Sequence, residues 1–410
     1  MRILISGASV AGPALAYWLT RYGFSVTVVE RAPALRKAGG HAIDLFRPAM
    51  DIVEKMGVLE HVLAGKTGVE RLTIYREGRS RPTELDLSRV MGAISDRHIE
   101  IMRDDLSEIF YDATRDDADY VFGDSIASIS DDGQVVFDSG RTDRFDLVVG
   151  ADGLHSNVRG LVFGPEQRFT TWIGAYLAVM SVPDHLGLDG RMECVAGVGR
   201  MAGIGSTAHM DDARAVFLFR TPEPLDYHHR DVDRQKQLLR EHVEGLGWEV
   251  PRLMEELDRT PAFYFDSITQ LRMDTWSRGR VTLVGDAGYC PGPAVGGSTS
   301  LAVVGAYVLA GELAAHGGDH TKAFPAYEAE IRDYVHRSRA FAVNAAKRIV
   351  PASRLDLAAL GGAIRLINSL PVALTRAAAK IGSKGVRLHD SIALKDYAST
   401  PWPRSFSASS

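Results

Sequence analysis

Residues 7 to 12 read Gly-Ala-Ser-Val-Ala-Gly, and the flanks of this short stretch restrict the fold more than any other part of the chain. Ile3-Leu4-Ile5 precedes it, a short apolar run of the kind that forms a buried parallel strand. "PALAYWLTRYG" follows, with apolar residues at helical spacing, and then "FSVTVVE", a second strand closed by Glu30. Strand, glycine turn, helix, strand and terminal acid, in that order, make a βαβ unit and commit the chain to a parallel sheet. Each position has a task. Gly7 permits the tight turn out of the strand, and Gly12 lets the helix pack closely on the sheet. Val10 and Ala11 stand at the helix start, where free N–H groups and positive potential suit a pyrophosphate. Pro13 sits in the first turn, where its missing N–H is harmless. Glu30 can accept hydrogen bonds from a ribose diol. Ser9 stands where such a turn usually carries glycine. Its side chain costs some clearance, although its hydroxyl can contact phosphate. Because the helix N-terminus already supplies several donors, Ser9 is expected to be tolerated rather than needed.

Two further motifs follow in order. "RFDLVVGADGLHSNVR" reads as a strand from Phe145 to Val149, a sharp turn at Gly150-Ala151-Asp152-Gly153, and a short helix carrying Ser156, Asn157 and Arg159. "GRVTLVGDAGYCPGPAVGGSTSLAVVGAYVLAGEL" reads as a buried strand from Val281 to Val284, a Pro/Gly-rich loop, and a long apolar helix beginning near Gly297. Asp286, at that strand's end, can accept a hydrogen bond from a sugar or ribityl hydroxyl, or can serve as a helix N-cap. The loop lets backbone approach a flat ring, and the helix N-terminus can stabilise negative charge on that ring's edge.

The 410 residues leave room for two domains. No stretch reads as a transmembrane span, and the opening apolar run is too short for a secretory leader, so the expected location is the cytoplasm. Cys194 and Cys290 are the only cysteines, which excludes a disulfide framework and a cysteine metal cluster. A net charge of −5 argues against a dedicated nucleic-acid binder.

The ordered trio of motifs resembles the class A FAD-dependent monooxygenases, the para-hydroxybenzoate hydroxylase-like family, over residues 1 to about 345. The resemblance implies an α/β fold: a Rossmann-like FAD-binding domain from residues 1–170 and 271–345, a β-sheet substrate lobe inserted at 171–270, and a C-terminal helical segment and tail at 346–410. It implies that the first turn, with Glu30 and Arg31, holds the ADP part of FAD, and that the string around Asp152 serves FAD and the nicotinamide cofactor. It likewise gives Asp286 to the ribityl chain, and Arg103 of "IMRDDLSEIF" to FAD. Within the family, the chain is most similar to the tetracycline-inactivating and polyketide-hydroxylating enzymes. "GGHAIDL" resembles their flavin-lining segment, so Asp44 is expected at the flavin. Lys37 matches a basic residue that can meet NADPH phosphate, or is a solvated loop lysine. Pro293 matches a loop proline beside the flavin. Gly296-Gly297-Ser298 stands where the family usually has Gly-Gln-Gly, and Tyr289 replaces a usual histidine, which leaves the flavin-edge contacts open.

The function implied is an oxygen insertion. NADPH or NADH reduces FAD, the reduced flavin captures O₂ as a C4a-hydroperoxide, and one oxygen atom passes to an aromatic or polycyclic small molecule. No fixed catalytic acid or base is implied, and none is assigned. A flavin-dependent reductase on the same scaffold, or a flavin and ligand binder without turnover, remains the alternative. The Trp-x-Trp-x-Ile string of the halogenases is absent.

Between residues 170 and 270, "WIGAYLAVMSV", "RMECVAGVGRMAGIGS", "RAVFLFR" and the return strand "PAFYFDSITQL" have the composition of a sheet. Met192, Met201, Phe217 and Phe219 are candidates for its pocket-facing side, although such residues are more often plain sheet core, and His209 is more often an exposed loop histidine than a base. Leu355 to Lys380 carries helical periodicity with a basic face, which suits a packed helix or a membrane-surface one. The resemblance implies that a C-terminal helix braces the two domains. The substrate and the oligomeric state are not specified by any motif.

Overall fold

The first strand, Arg2–Ser6, lies inside a six-stranded sheet whose order is Ser277–Arg278, Val281–Leu283, Leu147–Gly150, Arg2–Ser6, Ser25–Glu30 and Asp119–Phe122. All of its pairings are parallel except the short hairpin at the Ser277–Arg278 edge. The computed structural model describes residues 1–35, 40–87, 97–207, 210, 212–293, 297–369 and 392–397. Register brings the three motifs together. Ser6 pairs with Gly150, and Gly150 pairs with Leu283. The three strands that carry the motifs therefore end level with one another, and their turns leave from the same edge of the sheet. Ligands of open α/β sheets bind at such carboxyl ends.

The helix of the first turn, Ala11–Arg21, packs beside the helix Ser298–Ala315, with Trp18 edge-on to Tyr307 at 4.8 Å between ring centroids. The Ser298–Ala315 helix is long and apolar enough to cross a membrane, yet 83% of it is buried inside the protein. A helix apolar on every side is a core helix when protein surrounds it.

The second large sheet has seven strands, in the order Phe263–Leu271, Thr170–Val182, Ala213–Arg220, Arg200–Ser206, Arg191–Gly197, Arg71–Arg76 and Arg79–Asp86. The expected lobe at 171–270 supplies most of it, but the last two strands come from residues 71–86, inside the stretch assigned to the first domain. They join through parallel pairing of Arg71–Arg76 with Arg191–Gly197. A contact across more than a hundred residues leaves no local sequence signal.

The two faces of this sheet differ. Tyr176, Ala178, Met180, Phe217, Phe219 and Phe265 pack against Leu238, Leu239, Val243 and Leu253 of the helices Val232–Val243 and Val250–Glu256. Of the pocket candidates, Phe217 and Phe219 are therefore plain sheet core, on the outer face. The opposite face presents Leu177, Val179, Leu218 and Ile268 to Ala342 and Ala346 of the long helix His320–Ile349. Met201 packs on this inner side, and a Cβ at Gly203 would lie 2.9 Å from the Met192 Cε, so Met192 shares it. His209 lies outside the described residues.

The brace between the two bodies is the His320–Ile349 helix, upstream of the segment expected to do this. Its first half contributes Tyr327, Ile331 and Tyr334 to the first core, and its second half reaches the seven-stranded sheet. Thirty residues at 1.5 Å each span about 45 Å, enough for both. The next helix, Arg354–Ser369, packs Leu357, Leu360 and Ile364 against Ile74, Cys194 and Ala196. The remainder of the stretch expected to be helical, to Lys380, lies outside the described residues. The chain then returns to the first body. Tyr397 is 4% exposed, its hydroxyl donates to Glu312 Oε1 at 2.5 Å, and Lys395 pairs with Glu312 and Glu330.

Candidate functional site

The glycine turn is closed by two contacts that admit no side chain. Gly7 has φ +108°, and a Cβ there would lie 2.5 Å from the Ala151 carbonyl oxygen. A Cβ at Gly12 would lie 1.9 Å from the Gly7 carbonyl oxygen. The first motif is thus pressed between its own helix and the turn of the second motif. Gly285, opening the third, packs against Ala11 and Ala302. Val10 precedes the helix without any side-chain cap, and no acidic residue occupies the first turn. Donors and positive potential are left open toward whatever lies at this edge.

Glu30 lies at the end of its strand as expected. Its carboxylate accepts from the Ala8 amide at 2.9 Å and the Ala32 amide at 2.8 Å, which fixes it beside the turn with acceptor capacity remaining. Arg31 follows it, exposed. Arg103 is the first residue of the helix Arg103–Asp112, and its guanidinium reaches the glycine turn. Nε and Nη2 donate to the Ser9 hydroxyl at 3.3 and 3.1 Å, and Ser107 Oγ stands 3.3 Å from the same atom. Arg103 has no carboxylate partner among the described residues.

The "GGHAIDL" stretch runs alongside the third motif. Its strand, Ala42–Leu45, is tied to the helix Ser298–Ala315 by Ser300, which donates to the Asp44 carbonyl and accepts from the Phe46 amide. The Asp44 carboxylate pairs with His98 Nε2 at 2.6 Å. At the head of this stretch the Gly40 amide donates to Asp104 at 2.6 Å. Lys37 and Gly296 lie outside the described residues. Pro293 is half-buried in the loop of the third motif, and Gly297 immediately precedes the long helix that begins at Ser298.

The second motif is mostly internal framework. The Asp152 carboxylate accepts from the Ser156 hydroxyl, the Val158 amide at 3.0 Å and the Ser6 hydroxyl at 3.3 Å. Burial pushes this carboxyl up from its ordinary range, and the bonds from Ser156 and Val158 pull it back. Arg159 is 0% exposed and donates to the Ala287 carbonyl at 2.9 Å, the Leu154 carbonyl and Glu166 at 2.6 Å. It pins the second motif to the third.

Asp286 is only partly satisfied. Its Oδ1 is buried and has no hydrogen-bond partner among the described residues. Burial raises its carboxyl, while the Cys290 thiol beside it and the Arg103 charge act the other way. Gly285, not Asp286, occupies the N-cap of the short helix Asp286–Tyr289. Tyr289 turns into the core, where its hydroxyl meets that of Tyr327 at 3.0 Å. Its ring also packs on Trp276, at 4.7 Å between centroids, so this side chain is core.

Motif reading missed two neighbours. His41 and Tyr264 stand 5.6 Å apart, ring to ring, joining the first body to the second sheet. Burial, then the charge of Arg103, lowers His41 to about 4, so this imidazole is neutral at pH 7. Burial and the Asp266 carboxylate raise the Tyr264 phenol, with Arg103 opposing them. The Arg103 amide donates to the His41 carbonyl at 3.1 Å, and its charge bears on Asp286, His41 and Tyr264 alike. His41 belongs to the "GGHAIDL" stretch but carries no signal of its own there. Tyr264 lies in a strand with no motif.

A second group missed by sequence reading joins the two sheets beside the site. His155 Nδ1 faces Glu166 Oε1 at 3.0 Å, and Nε2 faces Asp266 Oδ2 at 3.1 Å. Burial works against its charge, but the two carboxylates outweigh it and raise the imidazole to about 10. His229, stacked on it at 4.3 Å, is lowered to about 4 by burial and by that charge. A group whose pKa rises on folding stabilises most below its unfolded value, near 6.5, and the stabilisation is lost as pH climbs toward 10. The difference in urea midpoint between the native chain and His155→Gln is therefore expected to be widest near pH 6 and to shrink by pH 10. A difference that holds constant over this range would mean that His155 is not charged in the fold.

Among the described residues, an orphaned Asp286 oxygen, an uncapped helix start, a carboxylate at the second strand's end and a guanidinium without an anion partner together fit a flavin dinucleotide. The comparisons with known proteins agree. The family model described as "FAD binding domain" matches residues 1–345. A flavin-dependent monooxygenase of Legionella longbeachae is 39% identical over 347 residues, covering 84% of this chain and 88% of that protein. An uncharacterized protein of Mycobacterium tuberculosis, Rv1260, is 44% identical over 342 residues, covering 82% of this chain and 91% of that one. Among solved structures, the tetracycline destructase Tet(51) superposes with a TM-score of 0.82 at 33% identity, over 97% of this chain and 99% of its own. The chain belongs to the FAD-binding-domain family, among the class A flavin-dependent monooxygenases.

Proposed function

We propose that this flavin-dependent monooxygenase consumes NADPH or NADH and O₂ in the cytoplasm and inserts one oxygen atom into an aromatic or polycyclic, polyketide- or antibiotic-like small molecule. The observation that carries the reading is the convergence of three level strand ends on the unpartnered Asp286 oxygen, beneath the inner face of a second sheet. The likeness to a tetracycline destructase supports the substrate class.

FAD, when bound, supplies the electron transfer and the oxygen activation. The chain supplies the rest. The open start of the Ala11–Arg21 helix and Arg103 would hold the diphosphate, Glu30 the ribose and Asp286 the ribityl chain. The start of the Ser298–Ala315 helix would favour negative charge at the ring edge. The inner face of the seven-stranded sheet, with Met192 and Met201, would exclude water and position the substrate. Only one dinucleotide turn is present in the sequence, so the nicotinamide cofactor would bind transiently, with Lys37 a candidate for its phosphate.

The test is a panel of polycyclic aromatics and antibiotics, scored for stimulated NADPH or NADH oxidation and for product mass. Products heavier by one oxygen atom are expected. Loss of a double bond without oxygen gain would indicate a reductase, and flavin binding without any turnover would indicate a binding protein.

A further inference from the structure

We infer that Ser9 is a positioning residue, holding the Arg103 guanidinium over the glycine turn so that it meets the anionic part of the cofactor. The inference rests on the reading that a dinucleotide diphosphate sits at this turn. Ser9 occupies a position at which glycine would give more clearance, and the sequence alone suggests tolerance. The structure gives its hydroxyl a task. Both Nε and Nη2 of Arg103 donate to Ser9 Oγ, at 3.3 and 3.1 Å.

Arg103 needs such a hold. It is the first residue of its helix, where the backbone leaves a partial positive charge. A cation there is repelled, not retained. Asp104 and Asp105 share that first turn, but Asp104 is engaged by the Gly40 amide. With no carboxylate partner among the described residues, the guanidinium would swing toward solvent unless a neutral acceptor kept it in place. Ser9 is that acceptor.

The geometry also decides what the hydroxyl can offer a ligand. Its oxygen accepts from Arg103, so its own proton is free to be donated. Ser107 Oγ, one helical turn beyond Arg103, lies 3.3 Å away and can take it. With that proton given to Ser107, a phosphate oxygen arriving at the turn would receive the guanidinium and not the Ser9 hydroxyl. Ser9, Arg103 and Ser107 then form one unit that joins the starts of two helices, Ala11–Arg21 and Arg103–Asp112, around a single anion site.

The experiment is FAD titration of the deflavinated protein, together with the temperature at which the holoprotein releases its flavin. It compares the native chain with Ser9→Ala, Ser9→Gly, Ser9→Thr and Arg103→Ala, and with the Ser9→Ala/Arg103→Ala pair. Ser9→Ala and Ser9→Gly are expected to weaken FAD binding by about tenfold, the scale of one hydrogen bond to a charged group. Ser9→Thr keeps the hydroxyl and should retain most of the affinity. In the Arg103→Ala background, removing the hydroxyl should have little further effect, because the two act as one. Additive losses, or native affinity in Ser9→Gly, would overturn the positioning role. Native affinity in Arg103→Ala would instead show that the diphosphate lies elsewhere, and a native chain that takes up no FAD would overturn the cofactor assignment itself.

Discussion

Gly12→Ala is expected to strip the protein of its flavin and lower its thermal stability together. The added methyl would stand 1.9 Å from the Gly7 carbonyl oxygen, a distance that no relaxation of a side chain can relieve, since the obstacle is backbone. Nor can the turn retreat. Gly7 is itself closed off on its far side by the Ala151 carbonyl, 2.5 Å from where its own Cβ would be. The helix Ala11–Arg21 must therefore lift away from the sheet, carrying Leu15, Trp18 and Leu19 out of the core. Overpacking of this kind costs about 1–3 kcal/mol in forgiving sites, and more than about 4 kcal/mol where backbone must move. Flavin content after purification and a thermal melt followed by circular dichroism are the measurements. A variant that stays yellow and melts at the native temperature would show that the helix has slack which the structure does not.

Asp286→Ala separates cofactor binding from folding. The carboxyl pKa is raised by burial, and its Oδ1 has no hydrogen-bond partner among the described residues. Without ligand it is a burden on the fold; with ligand it supplies an acceptor. A hydrogen bond to a charged group contributes about 1.5–3 kcal/mol, so the FAD dissociation constant is expected to rise roughly ten- to a hundredfold. The melting temperature of the deflavinated variant should equal or exceed that of the deflavinated native chain. If affinity is unchanged while stability falls, Asp286 is framework and the ribityl chain lies elsewhere.

Much of the first body was legible because its signals are local. An apolar run, a glycine turn, a helix with one apolar face and a closing acid are all written within thirty residues, and each has few other structures to form. The third motif was readable for the same reason, down to the start of the helix at Ser298. What could not be read needed knowledge of distant neighbours. Strands Arg71–Arg76 and Arg79–Asp86 are largely polar and lack a clear alternation, and nothing in them names Arg191–Gly197 as the partner. Phe217 and Phe219 illustrate a second difficulty. Alternation along a strand separates two faces but does not say which one looks inward, and here both faces are covered by helices. Tyr289 illustrates a third, since the same residue can face a ligand or turn into the core. The His155 group was invisible because its carboxylates lie 11 and 111 positions away.

Interleaved strand order in the six-stranded sheet leaves the chain exposed during synthesis on the ribosome. Strand Arg2–Ser6 leaves the exit tunnel early and pairs on one side with Ser25–Glu30, but its other neighbour, Leu147–Gly150, emerges much later. That strand in turn waits for Val281–Leu283. At roughly 5–20 residues per second, the last of these appears about 15–60 seconds after the first. Until Leu147–Gly150 emerges, roughly the first half of that interval, the nascent chain carries an unpaired edge beside Ile3, Leu4 and Ile5, all of them fully buried once folding is complete. An apolar edge of this kind is where strand mispairing begins. Slowed translation between the first and second motifs should therefore lower the soluble yield, and a chaperone that shields the amino-terminal strand should restore it.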